Sequence, residues 1–347
     1  MDLFQLTRAL IDIDSVSGGE RRIGDFLFDR LSALAAPTGG TVERMPVAAE
    51  RFNLFAAWDR PEVVLSTHLD TVPPFIPASE DGEHIHGRGA CDTKGAIAAM
   101  LAAAEALLAA GARGFGLLFV VGEETDSLGA QVAGRQPRGS RYLVNGEPTE
   151  NRLALGSKGM LYLAVEAAGI AAHSAYPELG ASAIDRLLAA LARLREVPLP
   201  ADPVLGETTM SIGTLSGGRA ANVVADAARA EVMLRTVGTP ATPADTAALR
   251  DALHAAVAGV EGVRIAAERA TPAVRLRALP GFATTVVKYT TDIPRLLSWG
   301  EPFLLGPGTI HVAHTAQERV AKRELIAAAG LYRDLVRRLQ TGAPGGM

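Results

Sequence analysis

The sequence predicts an α/β protein, a mostly parallel-sheet domain with helices on both faces, into which a smaller α+β domain is inserted. Three observations carry this. Short β-type runs, each finishing in polar residues, alternate with helical stretches up to about residue 157. From 158 to 270 the order becomes β-α-β-β-α-β, and after Pro280 the first rhythm resumes. At 347 residues the chain exceeds the usual single-domain size, so two apolar cores are expected.

Residues 3–12 and 20–35 carry apolar side chains at helical spacing, and Ser15, Gly18 and Gly19 punctuate the gap between them. Val63 to Thr67, Gly116 to Val121 and Tyr142 to Val144 read as strands that run into His68, Glu123 and Glu147. An Ala-rich helix spans about 93–110. In sheets of this kind ligands gather beyond the carboxyl ends of the strands, which is where those three polar residues fall. In the insert, strands at 158–168, 208–216, 228–236 and 262–268 and helices at 181–195 and 243–258 form the split arrangement called ferredoxin-like. A strand near Phe303 and an amphipathic helix from about Gln317 to Leu339 return to the first domain. The larger domain is therefore read as 1–157 plus 271–340, the insert as 158–270, and the Gly/Pro-rich tail 341–347 as disordered.

A formal net charge of -4 with no long basic run argues against nucleic acid or an anionic membrane as partner and favours a small molecule. The start lacks a basic segment followed by a long apolar one, so no signal peptide is expected, and no apolar stretch is long enough to span a bilayer. With Cys91 as the only cysteine, neither an intrachain disulfide nor a thiolate metal cluster can form. A cytoplasmic protein is the expectation.

The chemistry-bearing residues fall in five clusters. His68 and Asp70 stand two apart after an apolar strand, and alternation points both to one face. A metal-bound His commonly gives its second ring N–H to a carboxylate, a role open to Asp70, although such a pair alone is more often merely hydrogen-bonded. Asp92, in Gly87 to Gly95, is either the cap of the following helix or a carboxylate bridging two cations. Its neighbour Cys91 reads as buried and inert. Glu123 and Glu124 follow one apolar run, and Glu147 another. Neighbouring carboxylates repel, and a cation allows one to stay ionised while the other serves as a base. The last cluster, Gly306 to Glu318, holds a Gly-Pro-Gly turn and two candidate ligands, His311 and His314, which spacing alone does not separate.

The series STHLDTVP, GRGACDTKG, GEET, GEPT and GPG followed by AHT resembles the metallopeptidase and aminoacylase family of acetylornithine deacetylase, succinyl-diaminopimelate desuccinylase and the glutamate-releasing carboxypeptidase. The resemblance covers nearly the whole chain. It implies two divalent ions, zinc by preference with cobalt or manganese also suited to an N/O ligand set. Asp92 would bridge them, with His68 and Glu147 on one ion and Glu124 and His314 on the other, which selects His314 over His311. Glu123 would be the general base and Asp70 the partner orienting His68. The Asp92–Thr93 peptide would be cis. In the insert, acting as a lid or dimerisation domain, His173 would stabilise the oxyanion, within one chain or across a homodimer, while Asn222 and Arg235, with Gly306 of the larger domain, would bind substrate. Arg235 suits a free carboxylate because its planar fork meets both oxygens. His84, His86 and His254 match no motif.

The activity read from this series is hydrolysis of the amide bond of an N-acyl amino acid. Three alternatives stand beside it: a di- or carboxypeptidase of the same family, a non-catalytic metal-binding regulator, and an aminopeptidase. The regulator would lack a ligand or base, and none is missing. The aminopeptidase would need an acidic group for the substrate amine, where the sequence offers Arg235.

Overall fold

A computed structural model describes residues 1–239 and 242–342, with the backbone alone for 243–245. Most of the tail expected to be disordered, 343–347, lies outside the described residues. The chain divides into two compact units, one of Met1–Leu155, Leu276–Thr285 and Thr291–Met347, the other of Gly156–Arg275 and Val286–Thr290. The segment 286–290, read from sequence as part of the larger domain, thus belongs with the second unit.

The first unit is built on a six-stranded sheet, in the order 41–48, 51–58, 115–120, 63–68, 142–145, 301–304. The last four of these run parallel. The hairpin Thr41–Ala48 and Arg51–Trp58 is added antiparallel, so the sheet is mixed with its parallel strands in the majority. This hairpin escaped the sequence reading because its edge strand, TVERMPVA, buries only Met45 and shows no clean alternation.

Both faces of the central strands are covered, which explains their unbroken apolar runs. Leu65, Leu117 and Phe119 point to the side of helices α1 (Leu3–Ile11), α2 (Arg21–Thr38), α3 (Gly95–Ala109) and α7 (Lys322–Gln340). Val64, Leu118 and Val120 point the other way, to a short helix α4 (Leu128–Gly134) and Trp299. α3 is buried nearly all round, consistent with its Ala-rich composition. α7 buries Leu325, Ala328, Tyr332, Leu335, Val336 and Leu339, a stripe of helical period, and each such leucine contributes on the order of 1.5 to 3 kcal/mol. The expected helix start near 317 is displaced, because Arg319–Ala321 pairs as a strand with His84–His86 before α7 begins.

In the second unit, strands Gly159–Ala168, Thr209–Gly217, Ala227–Thr236 and Val263–Thr271 form an antiparallel sheet, the fourth strand beside the first, then the third and the second. Helices α5 (Ala183–Glu196) and α6 (Pro243–Ala258) join Leu161, Leu163, Val165 and Leu234 in one core through Leu187, Leu191, Leu194 and Leu253. This is the ferredoxin-like order read from the sequence. Among the described residues, no helix is long and apolar enough to cross a membrane.

Candidate metal centre

The ends of the parallel strands lie side by side because the register pairs His68 with Val120 and Ser66 with Asn145. His68 is the last residue of its strand. Gly122, at φ 79°, turns the next strand's exit so that Glu123 and Glu124 follow at once. Glu147 follows Asn145 by two residues, and the Thr67 hydroxyl donates to the Gly146 carbonyl at 2.6 Å, tying two of these exits together. Gly306 lets the Glu147 backbone pass, since a Cβ there would stand 2.5 Å from the Glu147 carbonyl oxygen.

Asp92 sits in the turn that precedes α3, with φ -126° and ψ 81°, and its peptide bond to Thr93 is cis. It does not cap α3. Its carboxylate faces two imidazoles instead: Oδ1 lies 3.0 Å from His68 Nε2 and Oδ2 lies 3.2 Å from His314 Nε2. Around this axis, His314 Nε2 is 3.1 Å from Glu124 Oε1, and His68 Nε2 is 4.0 Å from Glu147 Oε1. His68, Asp92 and Glu124 each offer a ligand atom within 4.8 Å of the others. His311 is exposed and hydrogen-bonds locally to Thr309, so the geometry separates it from His314.

Asp70 lies beside His68 as expected and has further partners as well. His68 Nδ1 is 2.9 Å from the backbone carbonyl of Asp70 but 3.6 Å from its carboxylate. The ring is therefore oriented by a main-chain acceptor, which places its donor N–H at Nδ1 and turns Nε2 to the carboxylates. The Asp70 carboxylate accepts from the amides of Glu123 at 3.0 Å and Glu124 at 3.1 Å and from the Ser17 hydroxyl at 2.7 Å. It is a clamp on the loop carrying both glutamates.

Whether these residues fit a cation can be judged from their own unmet needs. Glu147 Oε1 is buried without a hydrogen-bond partner, and so are both carboxylate oxygens of Asp292. Buried polar atoms are rarely left so, because an unpaired one costs about 1 to 3 kcal/mol, more when charged. Burial holds the carboxyls of Glu123 and Glu147 well above the ordinary range; His68 draws them back, and Asp292 pushes both further up. Asp292 itself is raised to about 6, chiefly by burial. His314 is raised to about 10 by its hydrogen bonds to Asp92 and Glu124. So many carboxyls around two imidazoles, with an orphaned oxygen among them, suit a divalent cation, and all the donors are N or O. Cys91 stays outside this set: it is fully buried, and burial pushes its thiol well up.

Residues 64–338 match peptidase family M20/M25/M40. The chain belongs to this family. It is 40% identical to a probable carboxypeptidase of Aspergillus clavatus, over 96% of this chain and 82% of that one. It is 37% identical to a Peptidase M20 domain-containing protein of Schizosaccharomyces pombe, over 96% and 84%. Among solved structures, an aminopeptidase from Bacillus cereus has the same fold at TM-score 0.76 and 20% identity, covering 97% of this chain and 98% of that chain. An M20 family metallo-carboxypeptidase from Sulfolobus solfataricus does so at TM-score 0.76 and 14% identity, covering 98% and 100%. Membership makes this M20 chain a hydrolase of peptide or amide bonds.

Three of the remaining predicted residues lie in the second unit. His173 is exposed, and its Nδ1 accepts from the Ala175 amide at 3.1 Å, so in the neutral ring the proton sits on Nε2. Asn222 is exposed one residue from the Val223 that bridges to His173. Arg235 is half-buried, with Nη1 3.3 Å from the Thr290 hydroxyl. Gly306, back in the first unit, is buried, and its amide and carbonyl are both engaged by Thr149, the carbonyl also by Asn151. The sequence reading missed Asp292 and Ser17. An isolated Asp in TTDIPR and a Ser in a loop carry no local signal, and only the fold brings them to Glu123 and Asp70.

Proposed function

We propose that this M20 chain is a two-metal carboxypeptidase that removes a C-terminal residue from short peptides. The contacts of Asp92 with His68 and His314, of His314 with Glu124, and of His68 with Glu147, whose Oε1 is buried without a hydrogen-bond partner, support the hydrolytic centre. The names of relatives at 38 to 40% identity favour a peptide substrate over the N-acyl amino acid inferred from the motifs alone.

In this reading two ions would be held by Asp92, shared between them, with His68 and Glu147 serving one and Glu124 and His314 the other; zinc is the proposed metal. When bound, such ions polarise the scissile carbonyl and bring a water near its neutral-pH deprotonation. Glu123 takes the proton from the attacking water and returns it to the leaving amine. Asp70 holds the Glu123 and Glu124 amides so that base and ligand keep their spacing. His173, through its Nε2–H, donates to the oxyanion, Asn222 holds the substrate, and Arg235 reads the terminal carboxylate. We further propose that the second unit serves as lid, with a homodimer formed through it.

The deciding experiment compares kcat/KM for a dipeptide series, the same peptides as C-terminal amides, and the matching N-acetyl and N-succinyl amino acids. Free-acid peptides should be cleaved best. Preference for the acyl amino acids would return the activity to a deacylase, and preference for the amides would exclude a carboxypeptidase. In Arg235→Ala the free-acid preference should shrink at least ten-fold; if it persists unchanged, Arg235 is not the carboxylate receptor.

Asp70→Asn tests the clamp. The amide can accept one of the two N–H groups but turns a donor on the other, so turnover should drop at least ten-fold while metal content, by elemental analysis, is kept. Parallel loss of metal and turnover would place the Asp70 carboxylate on the His68 ring instead.

A further inference from the structure

Arg88 and Glu318 form an ion pair with side chains 2% and 1% exposed, 2.6 Å apart. Arg88 Nη1 donates both to Glu318 Oε2 and, at 3.2 Å, to the carbonyl of Thr315, the residue after His314. Its Nε donates to the Pro74 carbonyl at 3.3 Å. The other carboxylate oxygen, Glu318 Oε1, accepts from the amides of Cys91 and Asp92, both at 3.3 Å. The main chain closes the same ring, with the Gly87 amide donating to the Glu318 carbonyl at 3.1 Å. One pair thus touches the turn that carries Asp92 and the loop that carries His314. Gly308, at φ 86°, seats that loop on the turn, since a Cβ there would lie 2.5 Å from the Cys91 Cβ.

Stability alone is a weak reason for such a pair. Burying two charges costs several kcal/mol per ion, and well-packed apolar residues of the same volume often do as well or better. What apolar residues cannot do is hold backbone groups of two loops at set distances, and the guanidinium fork and carboxylate do so here through four main-chain partners.

We propose that Arg88 and Glu318 are a positioning pair that fixes the separation of Asp92 and His314 before a cation binds, so that the ion held by Asp92, Glu124 and His314 meets a preformed seat. The proposal rests on the ligand reading given above. Its structural half is independent of that reading, because the tie exists within the chain alone.

The test uses the full chain as Glu318→Gln, as Arg88→Lys, and as the doubly neutral Arg88→Met/Glu318→Gln, which removes both charges and keeps the fold where a single change leaves one buried charge. Two measurements are made: zinc affinity by competition with a chromogenic chelator, and amide hydrogen exchange of the metal-free protein. Exchange at residues 88–94 and 309–318 should quicken at least ten-fold in all three variants, with the strand Phe115–Val120 unchanged. One zinc site should weaken about 10- to 100-fold, the usual effect of removing a group that orients ligands. Unchanged exchange in both loops would overturn the tie, and so would exchange raised uniformly through the chain, which would make the pair a general support of the fold. Loosened loops with zinc affinity unchanged would overturn the preformed seat while leaving the ligand reading intact. Failure of the unsubstituted protein to bind zinc would instead sink the ligand reading.

Discussion

In Glu123→Gln, turnover is expected to fall by about a hundred- to ten-thousand-fold, the range a positioned general acid–base group supplies. The substitution keeps size and backbone, and with them the amide that donates to Asp70 at 3.0 Å, so the loop should hold its place. It removes only the capacity to take a proton. The ligand reading assigns Glu123 to neither ion, so metal content should match that of the unsubstituted protein. KM should change little, because the carboxylate is assigned to proton movement and not to binding. Steady-state kinetics with elemental analysis on the same preparation decides the matter: turnover within a few-fold of the unsubstituted enzyme removes Glu123 as base, and turnover lost together with metal makes it a ligand.

The second large effect is expected on metal removal. Dialysis against a chelator should reduce activity to background, and added zinc, cobalt or manganese should restore it, since an N/O donor set without thiolate exchanges such ions reversibly. The physical reason lies in the charges: burial raises the Glu124 and Glu147 carboxyls, Asp92 pushes them further up, and His68 offsets this only in part, so a cation would favour their charged forms. Binding that favours only the folded state should also raise Tm, by an amount equivalent to about 2.7 kcal/mol per ion at a hundredfold excess over Kd. Calorimetry with and without zinc reads this directly. Undiminished activity in protein shown to be metal-free would defeat the proposed mechanism, and an unchanged Tm would show that the cluster holds no cation under those conditions.

The local patterns were legible where one principle dominated. Apolar runs of strand length gave Val63–His68, Phe115–Val120 and Tyr142–Asn145 to within a residue or two, because a strand buried on both faces has no polar positions to confuse the signal. The ferredoxin-like order was legible because helical and strand periods alternate cleanly from 158 onward. The hairpin at 41–58 was not, because its edge strand is mostly exposed and carries Glu, Arg and Pro, so nothing in its period marks a strand. The helix start near Gln317 was misplaced for a similar reason: three residues, Arg319–Ala321, pair with a strand more than two hundred positions away, and pairing at that distance leaves no trace in neighbouring residues.

The sequence by itself named the candidates for a cation centre: His68, Asp92, Glu124, Glu147, the base Glu123 and the two histidines His311 and His314 each stand at a strand exit or in a glycine-rich turn segment, and their chemistry is local. Only the tertiary structure decided what each one faces. It set His314 against Asp92 and left His311 outside, although the two are three residues apart. It set the Asp70 carbonyl 2.9 Å from the His68 ring and put the Asp70 carboxylate on the Glu123 amide as well. It brought Ser17, Asp292 and the Arg88–Glu318 pair to the site from four separate stretches of chain. Residue type sets what a side chain can donate or accept, and that is written in the sequence; a hydrogen bond of 3 Å also needs a partner delivered by packing and register, and those depend on every other segment at once.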